Sequence, residues 1–173
     1  MKVGIPAEVK NHEYRVAITP AGVRELVLNG HEVFIQAGAG LGSSITDAEY
    51  QAAGARALPT ADDVWATGDL ILKVKEPIAE EYDRMRAGQV LFTYLHLAAD
   101  RPLTEELVKR KVTGIAYETV QLPSGGLPLL YPDNSLGYVE NFLRMCFGVP
   151  AEPYEGDEPT AEIPDILFIL HPD

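Results

Sequence analysis

Arg15, Lys75 and His96 each follow closely on a short apolar run of the kind that builds a parallel β-sheet. In an open α/β sheet, ligands bind in the crevice outside the carboxyl ends of the strands. The placement therefore predicts that three separate stretches of chain bring a guanidinium, an ammonium and an imidazole to one place. Such a trio suits a small anion with a reactive carbonyl. Guanidinium pairs with a carboxylate through two parallel hydrogen bonds, and imidazole, with a reference pKa of about 6.5, shuttles protons near neutrality. Taken singly, each residue has a plainer reading: a surface ion pair for Arg15, a solvated strand end or a partner for Glu76 in the case of Lys75, and a hydrogen-bonded core histidine for His96. Lys73 and Lys75 fall on the same side if Leu70–Lys75 is one strand.

The elements that must position them alternate. Strand-like runs lie at Val3–Pro6, Glu32–Gln36, Leu70–Lys75, Gln89–Leu95 and Gly114–Glu118. Thr19-Pro20 opens a helix that Gly30 closes. Thr46 with Glu49, and Thr60 with Asp63, have capping-box spacing. Further helices are predicted at Ile78–Ala87 and Leu103–Lys111. This order implies an α/β fold with a doubly wound, mostly parallel, flavodoxin-like sheet. The segment Gly38-Ala39-Gly40-Leu41-Gly42-Ser43 imitates a dinucleotide loop, but Ser43 stands where the third glycine belongs. Thr46 more simply caps the next helix, so no phosphate cradle is read there.

Composition limits the partners. The 173 residues carry a net charge of −12, which argues against nucleic acid and anionic membrane surfaces. Hydrophobic (46%) and charged (23%) fractions are those of a soluble globular protein. The single cysteine, Cys146, fits a reducing compartment and reads as a buried small hydrophobe. No apolar run approaches the roughly 20 residues needed to span a bilayer, and the N-terminus is not that of a signal peptide. A cytoplasmic protein is expected.

From about residue 131 the character changes: six of the 13 prolines fall in 131–173, with nine acids against one base, Arg144. An amphipathic helix is predicted at Ser135–Phe147, ended by Gly148 and Pro150. The division expected is a substrate domain at 1–130 and a short acidic helical appendage at 131–173.

With these residues in place, the first 130 positions resemble the N-terminal domain of alanine dehydrogenase. The likeness rests on Val3-Gly4-Ile5-Pro6, Arg15-Val16-Ala17-Ile18-Thr19-Pro20, Gln36-Ala37-Gly38-Ala39-Gly40 and Leu72-Lys73-Val74-Lys75-Glu76-Pro77. Phe92-Thr93-Tyr94-Leu95-His96-Leu97-Ala98 and Ala116-Tyr117-Glu118-Thr119-Val120-Gln121 extend it. The α subunit of proton-translocating transhydrogenase shares the fold and some blocks. The resemblance implies NAD-dependent interconversion of L-alanine with pyruvate and ammonia, Arg15 and Lys75 holding pyruvate, His96 as acid/base, and a homo-oligomer, hexameric in the family. NAD binding is not expected of this chain alone: at Tyr131-Pro132-Asp133-Asn134-Ser135 it leaves the family pattern, with no complete Rossmann domain and no counterpart of the family's catalytic aspartate. Asp133-Asn134-Ser135-Leu136-Gly137-Tyr138-Val139-Glu140-Asn141-Phe142-Leu143, with Phe147-Gly148, Pro153-Tyr154-Glu155 and Asp165-Ile166-Leu167-Phe168-Ile169-Leu170-His171, make residues about 132–171 instead resemble an internal part of citrate synthase, in which a histidine at the position of His171 contacts oxaloacetate. That likeness is too short for a complete acyl-transferase site. The reading is the substrate-binding half of an alanine dehydrogenase. The alternative is a non-catalytic fusion or truncation remnant that at most binds small 2-oxo acids.

Overall fold

A computed structural model describes residues 1–121 and the short strand Ile169–Leu170. The predicted helix 135–147, Cys146, His171 and nearly all of the citrate synthase-like segment lie outside the described residues.

Six parallel strands form the sheet: β1 (Lys2–Ile5), β2 (Glu32–Gln36), β3 (Arg56–Leu58), β4 (Leu70–Leu72), β5 (Val90–Thr93) and β6 (Thr113–Ala116). A seventh, β7 (Ile169–Leu170), joins antiparallel at one edge, with Leu170 opposite Gly114 and Ile169 opposite Ile115. Spatial order is β3-β2-β1-β4-β5-β6-β7. The five strands anticipated from apolar runs stand as second-first-third-fourth-fifth, the flavodoxin-like order, and β3 extends the edge beyond β2. The chain winds outward from β1 in one direction, returns, and winds outward from β4 in the other. The topological switch point therefore lies between β1 and β4, paired at Val3–Leu70 and Gly4–Ile71.

Both faces are covered. Val3, Ile5, Leu70, Leu72 and Phe92 share one core with Val23 and Leu26 of α1 (Pro20–Leu28) and Tyr50 of α2 (Asp47–Ala52). Ile71 and Leu91 point the other way, to Trp65 of α3 (Ala61–Thr67) and to Leu103 and Leu107 of α4 (Arg101–Arg110). Alternation along each strand separates the two cores. Gly4 lets α3 approach β1 closely, since a Cβ there would lie 2.9 Å from Ile71 Cδ1 and 3.1 Å from the Val64 carbonyl.

Helix ends follow local chemistry. Thr19 caps α1 with Pro20 in its first turn, Thr46 and Glu49 complete a capping box on α2, and the Thr60 hydroxyl accepts the Asp63 amide on α3. Asp100 caps α4 through the Leu103 amide at 3.0 Å, starting that helix before the predicted Leu103.

The predicted helix Ile78–Ala87 is instead a 3₁₀ segment, Ala79–Arg84. Glu81 is drawn into the protein toward Lys73, and i→i+3 bonds such as Glu81 N to Ile78 O at 2.8 Å close the tighter turn. β4 stops at Leu72, so Lys73 and Lys75 are not strand neighbours on one side. Among the described residues no helix is long and apolar enough to cross a membrane.

Candidate functional site

The loops leaving β1, β4, β5 and β6 carry the candidate residues. Arg15 sits in the loop after β1, just ahead of Val16, Ala17 and Ile18, which are buried in the first core. The Tyr50 hydroxyl donates to Ile18 O at 2.7 Å and ties this loop to α2. Burial of the three residues that follow fixes where the guanidinium begins. Glu13 meets it: Nε donates to Oε1 at 2.8 Å and Nη2 to Oε2 at 2.6 Å. The Arg15 hydrogen bond holds the Glu13 carboxyl below its ordinary value of 4.5, outweighing burial, which acts the other way.

Past β4, Lys73 turns inward. Its ammonium is fully enclosed and lies 3.1 Å from both Glu8 and Glu81. Glu8 also accepts the Val74 amide at 2.6 Å and the Lys75 amide at 3.3 Å. One carboxylate from the β1 loop thus holds the β4 loop across the switch point. The segment so fixed delivers Lys75, whose Nζ sits 5.5 Å from the centroid of the Tyr94 ring. Among the described residues no carboxylate pairs with Lys75.

His96 leaves β5 with a left-handed backbone, φ 49°. Glu118, following β6, holds that turn: its Oε1 accepts the Leu95 amide at 2.9 Å and the His96 amide at 2.7 Å. The imidazole Nδ1 lies 3.2 Å from Glu76 Oε2, and the other Glu76 oxygen takes Lys10. An ionised carboxylate only accepts, so Nδ1 carries the hydrogen and a neutral imidazole keeps its Nε2 lone pair. Burial acts to raise the Glu76 carboxyl, but Lys10, a backbone amide and His96 together hold it below 4.5. Glu76 thus serves Lys10 and His96, not Lys75 beside it in sequence.

Tyr94 joins the three. Its ring is stacked on His96 (5.6 Å between centroids, 16° between planes) and lies under the Lys75 ammonium. Burial raises its phenol above 10, and the nearby Arg15 charge opposes that rise. Tyr117 packs edge-on against it at 4.5 Å and donates its hydroxyl to Lys73 O, bracing the β4 loop from below. Lys75 and His96 meet on one ring beyond the carboxyl ends of β4 and β5, and Arg15 acts electrostatically on the same tyrosine.

Several contributors escaped the sequence reading. Tyr94 and Glu118 stand inside quoted motifs without a role, Glu13 is given none, and Glu76 is read only as a partner of Lys75. The available signal was acidic residues placed beside cations at the same loop positions. A half-buried cation needs a partner, so two of the three expected cationic groups are paired with carboxylates, and among the described residues Lys75 has none.

The Gly38–Ser43 turn holds no phosphate cradle. Gly38 N donates to Asp47 at 2.8 Å, a Cβ on Gly40 would strike Tyr50 and Ile45, and one on Gly42 would lie 2.4 Å from Tyr14 O. These glycines serve the protein's own packing.

Residues 4–136 match the family described as alanine dehydrogenase/PNT, N-terminal domain. Alanine dehydrogenase of Mycobacterium tuberculosis (strain CDC 1551 / Oshkosh) is 67% identical over 132 residues, 76% of this chain and 36% of that protein. The alanine dehydrogenase of Methanococcus maripaludis is 59% identical over 76% of this chain and 35% of its own length. Among solved structures, an L-alanine dehydrogenase superposes with TM-score 0.74 at 52% identity, covering 75% of this chain and 36% of the other. A transhydrogenase from Sinorhizobium meliloti gives 0.65 at 36% identity, over 68% and 34%. The chain thus spans about a third of the length of the curated relatives it matches. On its sheet order, its loop residues and these matches, it belongs to the alanine dehydrogenase/PNT family, carrying that family's N-terminal domain.

Proposed function

We propose that this chain is the substrate-side domain of an alanine dehydrogenase-type enzyme, binding a small 2-oxo acid, pyruvate or its amino counterpart L-alanine. Arg15 pairs with the substrate carboxylate. Lys75 lies toward the carbonyl oxygen and stabilises negative charge that develops there. His96, with Nδ1–H on Glu76, accepts or returns a proton at that oxygen through Nε2. The observation that carries this reading is the Lys75 ammonium, which faces an aromatic ring and, among the described residues, no carboxylate, beside a histidine on the same ring.

NAD is the oxidant of the family reaction by resemblance. Among the described residues the glycine-rich turn does not fit its phosphates, because it is closed by its own packing. No hydride step is assigned to this chain, and a cytoplasmic setting and a homo-oligomer remain part of the same proposal. The 1–130 and 131–173 division is likewise proposed.

Calorimetric titration of pyruvate into the chain is the test, run beside NAD reduction with L-alanine. Binding that is lost in Arg15→Ala and Lys75→Ala, without turnover, supports the substrate-domain reading. Turnover would mean that a second chain supplies the cofactor wall. No binding, with Arg15→Ala and His96→Ala leaving every property unchanged, favours a non-catalytic remnant.

A further inference from the structure

We propose that Glu13 is a positioning residue for the anion site: it grips Arg15 by the Nε/Nη2 edge and so presents the Nη1/Nη2 edge to a ligand carboxylate. The proposal rests on the reading of Arg15 as the carboxylate-binding group. A guanidinium is a rigid planar fork whose N–H groups lie along separate edges, each able to take a carboxylate side by side. Glu13 uses one edge, through Nε at 2.8 Å and Nη2 at 2.6 Å. Among the described residues nothing takes Nη1.

Glu13 is held too firmly to act as a stand-in that a substrate displaces. Its Oε1 also accepts the Arg15 backbone amide at 3.0 Å, so the carboxylate is tied to the chain as well as to the fork. Its side chain is only 8% exposed against 38% for Arg15. Withdrawing it would strand a carboxylate in a place poor in water and remove the amide's acceptor, which costs more than sharing the guanidinium. The exposed part of the pair is therefore the cation, with its rotation about the last side-chain bonds already set. A ligand carboxylate meets a donor pair that needs no further ordering, and affinity gains what ordering would have cost. Glu13 also acts electrostatically on Lys75.

The experiment is a double-mutant cycle read by pyruvate titration of the full chain, with Glu13→Gln, Arg15→Ala and the double variant. Glu13→Gln keeps the size but removes the charge. It is expected to weaken pyruvate binding about tenfold, as loss of a charge-assisted bond would, and to add less than about twofold in the Arg15→Ala background. Tighter binding in Glu13→Gln would show that Glu13 competes for the fork, and additive effects would show that it does not act through Arg15; either overturns the proposal. A second readout needs no ligand: the Arg15 Nε–H proton resonance should exchange slowly in the wild type and fast in Glu13→Gln. An unchanged resonance in a folded variant overturns the positioning role. If the wild type shows the slow proton yet binds no pyruvate, the function reading fails while the Glu13–Arg15 grip stands.

Discussion

Glu118 reaches across from the β6 loop to fix a backbone turn that His96 would not adopt unaided. A left-handed conformation costs a residue with a Cβ roughly 1–2 kcal/mol, and strain of this size persists where surrounding bonds over-determine it. Here one carboxylate oxygen accepts two successive amides, at 2.9 Å and 2.7 Å, while the other oxygen is buried without a partner among the described residues. Glu118→Ala is therefore expected to lower unfolding free energy by about 2–3 kcal/mol, because two amides lose their acceptor. Glu118→Gln, which keeps an acceptor oxygen and offers an amide where the unpartnered oxygen was, should lose about 1 kcal/mol. Urea unfolding of both variants decides it; an alanine variant as stable as the wild type would mean the turn is held by something else. Tyr94 acts by its ring face. Tyr94→Leu removes the surface shared by Lys75 and His96, and should weaken pyruvate binding severalfold, in line with about 1 kcal/mol for a cation over an aromatic ring, with little change in melting temperature.

The β4 loop is an element whose shape comes from a buried charge, and it marks where sequence reading stopped. Val3, Ile71 and Leu91 announce their strands because fully covered parallel strands are apolar throughout. Thr19-Pro20 and Thr46 with Glu49 announce helix starts because the caps are local chemistry. β3 left no such trace: three residues, one of them the exposed Arg56, pair along the edge with Phe34, Ile35 and Gln36. Nor did composition reveal that Lys73 runs inward while Lys75 stays out, since that choice depends on Glu8 and Glu81, 65 and 8 positions away in sequence. Arg15, Lys75 and His96 were visible because each follows its own strand, whereas their partners Glu13, Glu76 and Glu118 matter only through the fold. The charge network makes a sharp prediction. Lys73→Met should cost about 3–5 kcal/mol by leaving two carboxylates enclosed without their cation. Adding Glu8→Gln and Glu81→Gln should restore most of that loss, measured by chemical denaturation. Gly4→Ala, on the opposite side of the same strand pair, should cost about 1–3 kcal/mol by overpacking, with Ile71 and Val64 in the way.

For the molecule as a whole, 26 acids against 14 bases make acidity the variable that tests the charge arrangement. Two groups of opposite sign set the outcome. Glu13 and Glu76 are held below 4.5 in the folded protein. Their stabilisation is complete above the unfolded carboxylate value and is lost as pH falls through their folded values. Glu81 runs the other way: burial lifts it above 4.5 despite Lys73, so the folded protein takes up its proton first. That group favours folding on the acid side of its folded value and penalises it as pH rises through the interval. General repulsion among surplus surface acids also eases as they begin to protonate, and added salt screens it at neutral pH. Unfolding free energy followed from about pH 8 down to about pH 3 should therefore rise to a maximum on the mildly acidic side, then drop steeply once the low carboxylates titrate. Glu13→Gln should flatten the steep acid limb, and Glu81→Gln the gentle rise above it. Raising salt at neutral pH should move wild-type stability upward. A curve that declines steadily from alkaline to acid pH, unaltered by Glu81→Gln, would contradict the raised carboxyl at the centre of the buried ion cluster, and with it the account of how the β4 loop is held.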